Sequence, residues 1–496
     1  MWRERPCRAA AAGPAGAPAA SRCARSRLSR PARPARRRAR SSAHGAEALG
    51  GGPLPGNTAP AAERGSRAEG GGMALHRAVW LGLTFVLGLA ASGALAQGAL
   101  GNLAEEDGAP AEEVGAAGFA SWLAGFRERA MARGITPQTL DRALSGVSYR
   151  DQIIALDRNQ AEFVKPIWTY LDTAVSDARV RNGRAALAEH EALLRAIEAR
   201  FGVDRHVVVA IWGLESSYGA YRGETDTLSA LATLAADSRR GPFFEGQLIA
   251  ALRILQSGEA RQGDLRGSWA GAMGHTQFMP TSYLAFAVDW DEDGRRDIWG
   301  GKPADALAST AAYLARFGWV TGQPWGVEVR LPEGFDYLLA DRDIRRMPGQ
   351  WAALGVTARD GAPVPDHGPA SILLPAGHRG AAFMVFDNFE VIERYNTADA
   401  YVIAVGHLAD RIAGGGPIEV PWPRDLGGLS GAERMELQER LTEAGFDTQG
   451  IDGKVGPKTV AAIRRYQVAE GLVPDGYASP GLLERCDSGV QIWTRG

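Results

Sequence analysis

Eight consecutive uncharged residues, Val207-Val208-Val209-Ala210-Ile211-Trp212-Gly213-Leu214, run directly into one carboxylate, Glu215. As a helix this run places Val208, Ile211, Trp212 and Glu215 on one face. Such a face cannot stay in water, so the chain must build a large core around it, with a carboxylate at the edge. A carboxylate in apolar surroundings resists ionisation and its pKa rises. A general acid that breaks a glycosidic bond near neutral pH needs that property. A core helix that ends at a solvated Glu satisfies the same pattern. The next four residues, Ser216-Ser217-Tyr218-Gly219, and a second stretch sixty residues on favour the acid.

At 496 residues the chain is too long for one ordinary domain, and 45% hydrophobic residues can fill a sizeable core. Residues 1–72 differ from the rest. They hold 14 Arg, no Lys and 4 acidic residues among dense Ala, Gly and Pro, a composition that buries too little to fold. Met73 then opens a short basic start, an apolar run from Ala78 to Ala91 and the exit Ala94-Leu95-Ala96. This reads as a secretory signal, 73–96, with Met73 as the true start and export to the periplasm. The run is short for a membrane span. Residue 97 is Gln, not Cys, so no lipid attachment and no stable membrane anchor is expected.

Beyond residue 96 there remain 40 basic and 53 acidic residues, a formal charge near −13. This balance argues against a nucleic-acid partner, because little is left to neutralise phosphates. Of Cys7, Cys23 and Cys486 only the last lies beyond the signal, so neither an internal disulfide nor a cysteine metal site is expected.

Residues 97–116 read as a flexible lead-in. Helical spacing begins near Ala117 and runs to Gly146, with Phe119, Trp122, Leu123 and Phe126 in phase. It continues through 185–200, 204–218, 227–237, 243–257 and 303–317. Between 325 and 395 short β-type runs, Val327–Leu331 and Ser371–Leu374, sit among Pro and Gly, and helix returns at 397–413. Gly414-Gly415-Gly416-Pro417 and Pro421-Trp422-Pro423 mark a linker, 414–424. A unit of about 60 residues comes after it, with helices at 430–444, 460–470 and 480–485. The expected fold is mainly α with a small β-containing insertion, plus a small three-helix C-terminal domain.

The most specific stretch is Gly267-Ser268-Trp269-Ala270-Gly271-Ala272-Met273-Gly274-His275-Thr276-Gln277-Phe278-Met279-Pro280-Thr281-Ser282-Tyr283. Together with Glu215-Ser216-Ser217-Tyr218-Gly219 it makes the segment 117–413 resemble the lytic murein transglycosylase B family, with its lysozyme-like α+β catalytic domain. Residues 425–486 resemble the three-helix peptidoglycan-binding domain. The resemblance implies that peptidoglycan glycan strands are the partner and Glu215 the sole catalytic acid and base. It also implies that Tyr170, Ser216, Arg239, Arg240, Gln277, Tyr313, Tyr395, Asn396 and Tyr401 bind substrate. Phe243 departs from the family, some of whose members carry Tyr there. The implied reaction cleaves between N-acetylmuramic acid and N-acetylglucosamine and closes a 1,6-anhydro ring. The nucleophile is the substrate's own C6 hydroxyl, at high effective concentration. One acid then suffices where the usual glycosidase needs two, and the chemistry requires no cofactor.

A second motif, Asp289-Trp290-Asp291-Glu292-Asp293-Gly294-Arg295-Arg296-Asp297, has calcium-loop spacing. Oxygens fall at positions 1, 3 and 5 (Asp289, Asp291, Asp293), Gly at 6, the Arg295 carbonyl at 7 and Asp297 at 9. Position 12 is Gly300, where the ordinary loop has Glu; the family resemblance implies Asp305 in its place. A structural calcium ion is expected, and an acidic loop satisfied by Arg295, Arg296 and solvent is the alternative. Two other functions stay open on the residues alone. One is a lysozyme-like hydrolase with Glu224 or Asp226 as second carboxylate; the other is a non-catalytic wall-binding protein.

Overall fold

A computed structural model describes residues 115–158, 165–237 and 240–493. Residues 1–114, which include the leader, the signal and nearly all of the lead-in, lie outside it. The chain opens with helices α1 (Gly115–Ala132), α2 (Pro137–Leu144), α3 (Asp151–Arg158), α4 (Ile167–Ala174), α5 (Asp177–Glu189), α6 (Glu191–Phe201) and α7 (Arg205–Ser216). The pattern expected over 117–146 is thus two helices. The chain turns after Ala132, and Thr136 caps the second through the Thr139 N–H. The 185–200 pattern is likewise split, at His190.

Strand β1 (Thr225–Asp226) leads into α8 (Thr227–Ala236) and α9 (Gly241–Ser257), then β2 (Arg266–Gly267), α10 (Pro280–Phe286) and α11 (Ala304–Arg316). β1 and β2 pair antiparallel, Thr225 opposite Gly267, which seats the 267–283 stretch beside the end of α7. Every residue of α7 from Val207 to Ser216 is buried, as is all of α8. The one-sided face expected of the 207–215 run is therefore a helix covered all round, as its unbroken apolar sequence requires. One core spans α1 to the helix before the linker.

The insertion is built from β3 (Gly326–Arg330), α12 (Pro348–Ala353), β4 (Thr357–Ala358), β5 (Ser371–Leu373) and β6 (Ala382–Val385). These strands form an antiparallel sheet in the order β4-β3-β6-β5, with Val327 opposite Met384 and Ile372 opposite Met384. Its separate core is centred on Trp351, Val356, Ile372 and Phe386. The chain returns through α13 (Asp387–Glu393) and α14 (Asp399–Ile412), and α14 packs along α4, α5 and α7. After the linker, α15 (Gly431–Glu443), α16 (Pro457–Ala469) and α17 (Pro480–Trp493) close on Leu437, Leu441, Ile463 and Leu482. Helix α15 starts with a capping box, Ser430 and Glu433. The last helix is longer than the sequence pattern indicates. Among the described residues no helix is long and apolar enough to cross a membrane.

Candidate active site

Helix α7 starts at Asp204, whose carboxylate caps the His206 N–H, and ends at Ser217 and Tyr218. Both are left-handed, with φ of 51° and 61°. For residues with a Cβ this costs roughly 1–2 kcal/mol each, so surrounding contacts must hold the turn. The Tyr218 hydroxyl donates to the Arg179 carbonyl at 2.8 Å. Its ring lies over Gly213, where an added Cβ would sit 2.5 Å from it. The sequence alone assigns Tyr218 no role.

Glu215, on that last turn, is 1% exposed. Tyr401, from the first turn of α14, donates its hydroxyl to Glu215 Oε1. Oε2 has no partner. Burial holds the Glu215 carboxyl well above the usual range, against the opposing pull of the Tyr401 hydrogen bond and the Arg179 charge. Burial thus favours the protonated form over the ionised one. With Oε1 accepting from Tyr401, Oε2 is the oxygen open to a proton.

Two more expected site residues end in a buried atom without a partner. Gln277 has φ of +55° and donates Nε2 to the carbonyls of Arg222, at 3.0 Å, and Gly274, at 2.8 Å, while its Oε1 is unmatched. Asn396 accepts the Ala398 N–H at 3.0 Å and leaves Nδ2 unmatched. A buried polar atom without a partner is costly, and a ligand carrying the complementary group relieves that cost.

Other expected contacts are spent within the protein. The Ser216 hydroxyl donates to the His275 carbonyl at 2.5 Å and accepts the Gly219 N–H at 2.9 Å, rather than meeting Glu215. Tyr313 is buried among Phe278, Phe286 and Phe317, and Tyr395 against Phe278 and Tyr313; they donate to the carbonyls of Arg394 and Thr276, respectively, at 2.6 Å each. Both are buried core rings whose hydroxyls are held by backbone carbonyls. Arg240 pairs with buried Asp157 and covers the Phe244 ring. Tyr170 is half-buried on α4. Arg239 lies outside the described residues. Asp226 caps α8 through the Ser229 N–H, so it serves the fold, and Glu224 is exposed.

The acidic loop gathers Asp289, Asp291 and Asp293, whose oxygens lie within 4.8 Å of one another. Gly294 turns the chain with φ of +87°. Asp305, buried at the start of α11, accepts the N–H groups of Trp290 and Asp297 at 2.8 and 2.7 Å. Burial raises its carboxyl pKa, and the charges of Asp291 and Asp289 add to the rise against those two bonds. Crowded acid oxygens beside a buried carboxyl fit a hard divalent cation, which would relieve the mutual repulsion. Asp297 uses Oδ1 to hold the Trp299 and Gly300 N–H groups. A cavity of 520 Å³ opens beside Arg222, Trp299 and Gly300, bordering this loop rather than Glu215.

Residues 118–410 match the transglycosylase SLT domain family, and residues 430–485 the putative peptidoglycan binding domain family. The chain is 33% identical over 296 residues to membrane-bound lytic murein transglycosylase B of Escherichia coli, covering 56% of this chain and 79% of that protein. The crystal structure of SltB3 from Pseudomonas aeruginosa in complex with NAG-anhNAM-pentapeptide superposes with a TM-score of 0.72 at 49% identity, covering 74% of this chain and 99% of that one. The Escherichia coli lytic transglycosylase Slt35 in complex with calcium gives 0.52 at 31% identity, over 59% of this chain and 92% of that one.

Proposed function

The chain belongs to the transglycosylase SLT family and is a lytic murein transglycosylase, and we propose that Glu215 is its single acid and base. The observation that carries this role is a buried carboxyl, its pKa raised by burial, with a hydroxyl donor on one oxygen and no partner on the other. In this reading Glu215 Oε2 gives its proton to the glycosidic oxygen between N-acetylmuramic acid and N-acetylglucosamine. The C–O bond breaks and the N-acetylglucosamine side leaves as an alcohol. The carboxylate then accepts the proton of the muramic C6 hydroxyl as that oxygen bonds C1. A 1,6-anhydro ring closes, Glu215 is again an acid, and no cofactor takes part. Tyr401 steadies the carboxylate in the interval between the two transfers.

Gln277 Oε1 and Asn396 Nδ2 are assigned to the substrate's amide N–H and C=O groups, which supply the partners each lacks. Tyr170 and Arg240 are assigned to the cleft wall, as is Arg239 by its place in the motif. We assign residues 117–413 to catalysis and 425–486 to holding peptidoglycan, joined by 414–424. Asp289, Asp291, Asp293, the Arg295 carbonyl and Asp297 are assigned to a structural calcium ion, with Asp305 behind them. Bound there, the ion would neutralise the loop. Export to the periplasm through a signal at 73–96, without a membrane anchor, completes the reading. N-terminal sequencing of the secreted protein tests it, with Gln97 as the expected first residue.

The deciding experiment is mass spectrometry of sugars released from purified peptidoglycan. The expected products end in 1,6-anhydro-N-acetylmuramic acid and vanish with Glu215→Gln. Products one water heavier, with reducing ends, would mean that water is the nucleophile.

A further inference from the structure

The hydroxyl next to the catalytic carboxyl in sequence does not face it. Ser216 Oγ is tied to the carbonyl of His275, and Trp212, one turn earlier on α7, donates Nε1 to His275 Nδ1 at 3.2 Å. Because Nδ1 accepts, the ring proton sits on Nε2. Nε2 then donates to the Gly300 carbonyl at 2.8 Å. Arg222 Nη1 donates to the same carbonyl at 2.5 Å, and the His275 N–H to the Ile298 carbonyl at 3.0 Å. Gly300 is in turn held by Asp297 through its N–H at 2.8 Å. The packing admits no slack: a Cβ on Gly219 would sit 2.5 Å from His275 Nδ1. One buried imidazole thus bridges the last turn of α7 and the end of the acidic loop. The turn it holds is the one with two left-handed residues, which does not keep its shape unaided.

We propose that His275 is a positioning residue that ties the last turn of α7, and with it Glu215, to the acidic loop at Gly300, so that a divalent cation in the loop steadies the catalytic carboxyl. The proposal rests on the assignment of Glu215 as the acid. It deepens that assignment by giving the loop a route to the chemistry. His275 touches no reacting atom. Its ring acts through Trp212, so its loss displaces the acid without removing a substrate contact. The effect therefore falls on kcat rather than KM.

The test compares His275→Phe, which fills the volume without either ring bond, with His275→Gln, whose amide can accept from Trp212 and donate to Gly300. In the full mature chain, His275→Phe is expected to lower kcat on glycan strands by about 10²-fold, the scale of a 1 Å misplacement. KM should hold, and His275→Gln should recover most of the loss. A second readout is the Trp212 indole N–H resonance, identified by its absence in Trp212→Phe. Added calcium chloride should shift it in the wild-type chain and leave it unmoved in His275→Phe. Wild-type kcat in His275→Phe overturns the proposal. So does an indole shift equal in both proteins, or no shift in the wild type. Should His275→Phe not fold, Trp212→Phe removes the ring's bond to α7, and an undiminished kcat there overturns the proposal equally. If the wild-type chain releases 1,6-anhydro sugars while these readouts fail, the tie alone is wrong. If it releases none, the catalytic assignment is wrong.

Discussion

Tyr401 lies 186 residues from Glu215 in the chain, yet its hydroxyl meets the carboxylate directly. It favours the ionised form, while burial favours the neutral one and prevails. Removing the hydroxyl should therefore raise the Glu215 pKa further. We expect Tyr401→Phe to move the alkaline limb of the kcat profile upward by about one pH unit, since a hydrogen bond to a charged group contributes ~1.5–3 kcal/mol. An unmoved limb would show that Tyr401 does not tune the acid. Glu215 also bears on stability. Its folded pKa is above its unfolded value, so the stability of the neutral form is complete below the unfolded pKa and is lost as pH rises through the folded one. Glu215→Gln should consequently abolish turnover and raise the melting temperature at pH 8, with the gain fading near pH 4; heat denaturation at both pH values measures it. Glu215 and Gln277 are legible from local sequence, because an uncharged run and a long small-residue motif are local signals. Tyr218 and His275 stand in the same two motifs, but their roles are not legible there. Their importance comes from what they touch, and nothing in their own neighbourhoods announces those partners.

At the scale of the element, α7 is the part most dependent on its surroundings. Its apolar sequence predicts a buried helix, and it is buried, but the turn that ends it is imposed by Tyr218 packing on Gly213. Gly213→Ala should cost about 1–3 kcal/mol, as overpacking does, and lower kcat because the strained turn carries Glu215. An unchanged melting temperature would place Tyr218 elsewhere. The acidic loop is the second such element. Its spacing in the sequence points to calcium, and the crowding of Asp289, Asp291 and Asp293 is what an ion would relieve. Adding calcium to chelator-treated protein should raise the melting temperature, with ~2.7 kcal/mol gained at a hundredfold excess over Kd. Asp291→Ala should remove that gain. The helix boundaries at 133–136 and at His190 are hidden because apolar spacing runs in phase across them; turn and cap hydrogen bonds interrupt the helix where the pattern does not.

Across the whole molecule, the C-terminal three-helix unit has its own core but is not loosely hung. Asp475 accepts the His378 N–H at 3.0 Å and faces its Nδ1 at 2.6 Å, and Arg464 pairs with Asp341 at 2.6 Å. The unit is thus docked on the β-containing insertion. Deleting residues 425–496 should lower the rate on intact sacculi by about tenfold or more and leave turnover of short soluble strands near wild type. Equal losses on both would mean that the unit supports the catalytic fold instead. By itself the sequence determined the helical class and the family of its two matched segments, and it set out a candidate acid and an acidic loop. Each is written in residues adjacent along the chain, where periodicity, composition and spacing act. Tertiary structure alone decided which hydroxyl meets Glu215, that Ser216 turns to His275, that Tyr313 and Tyr395 are buried core rings, and that His275 lies between α7 and Gly300. These depend on contacts between segments that are tens to nearly two hundred residues apart, and packing of the whole core sets them.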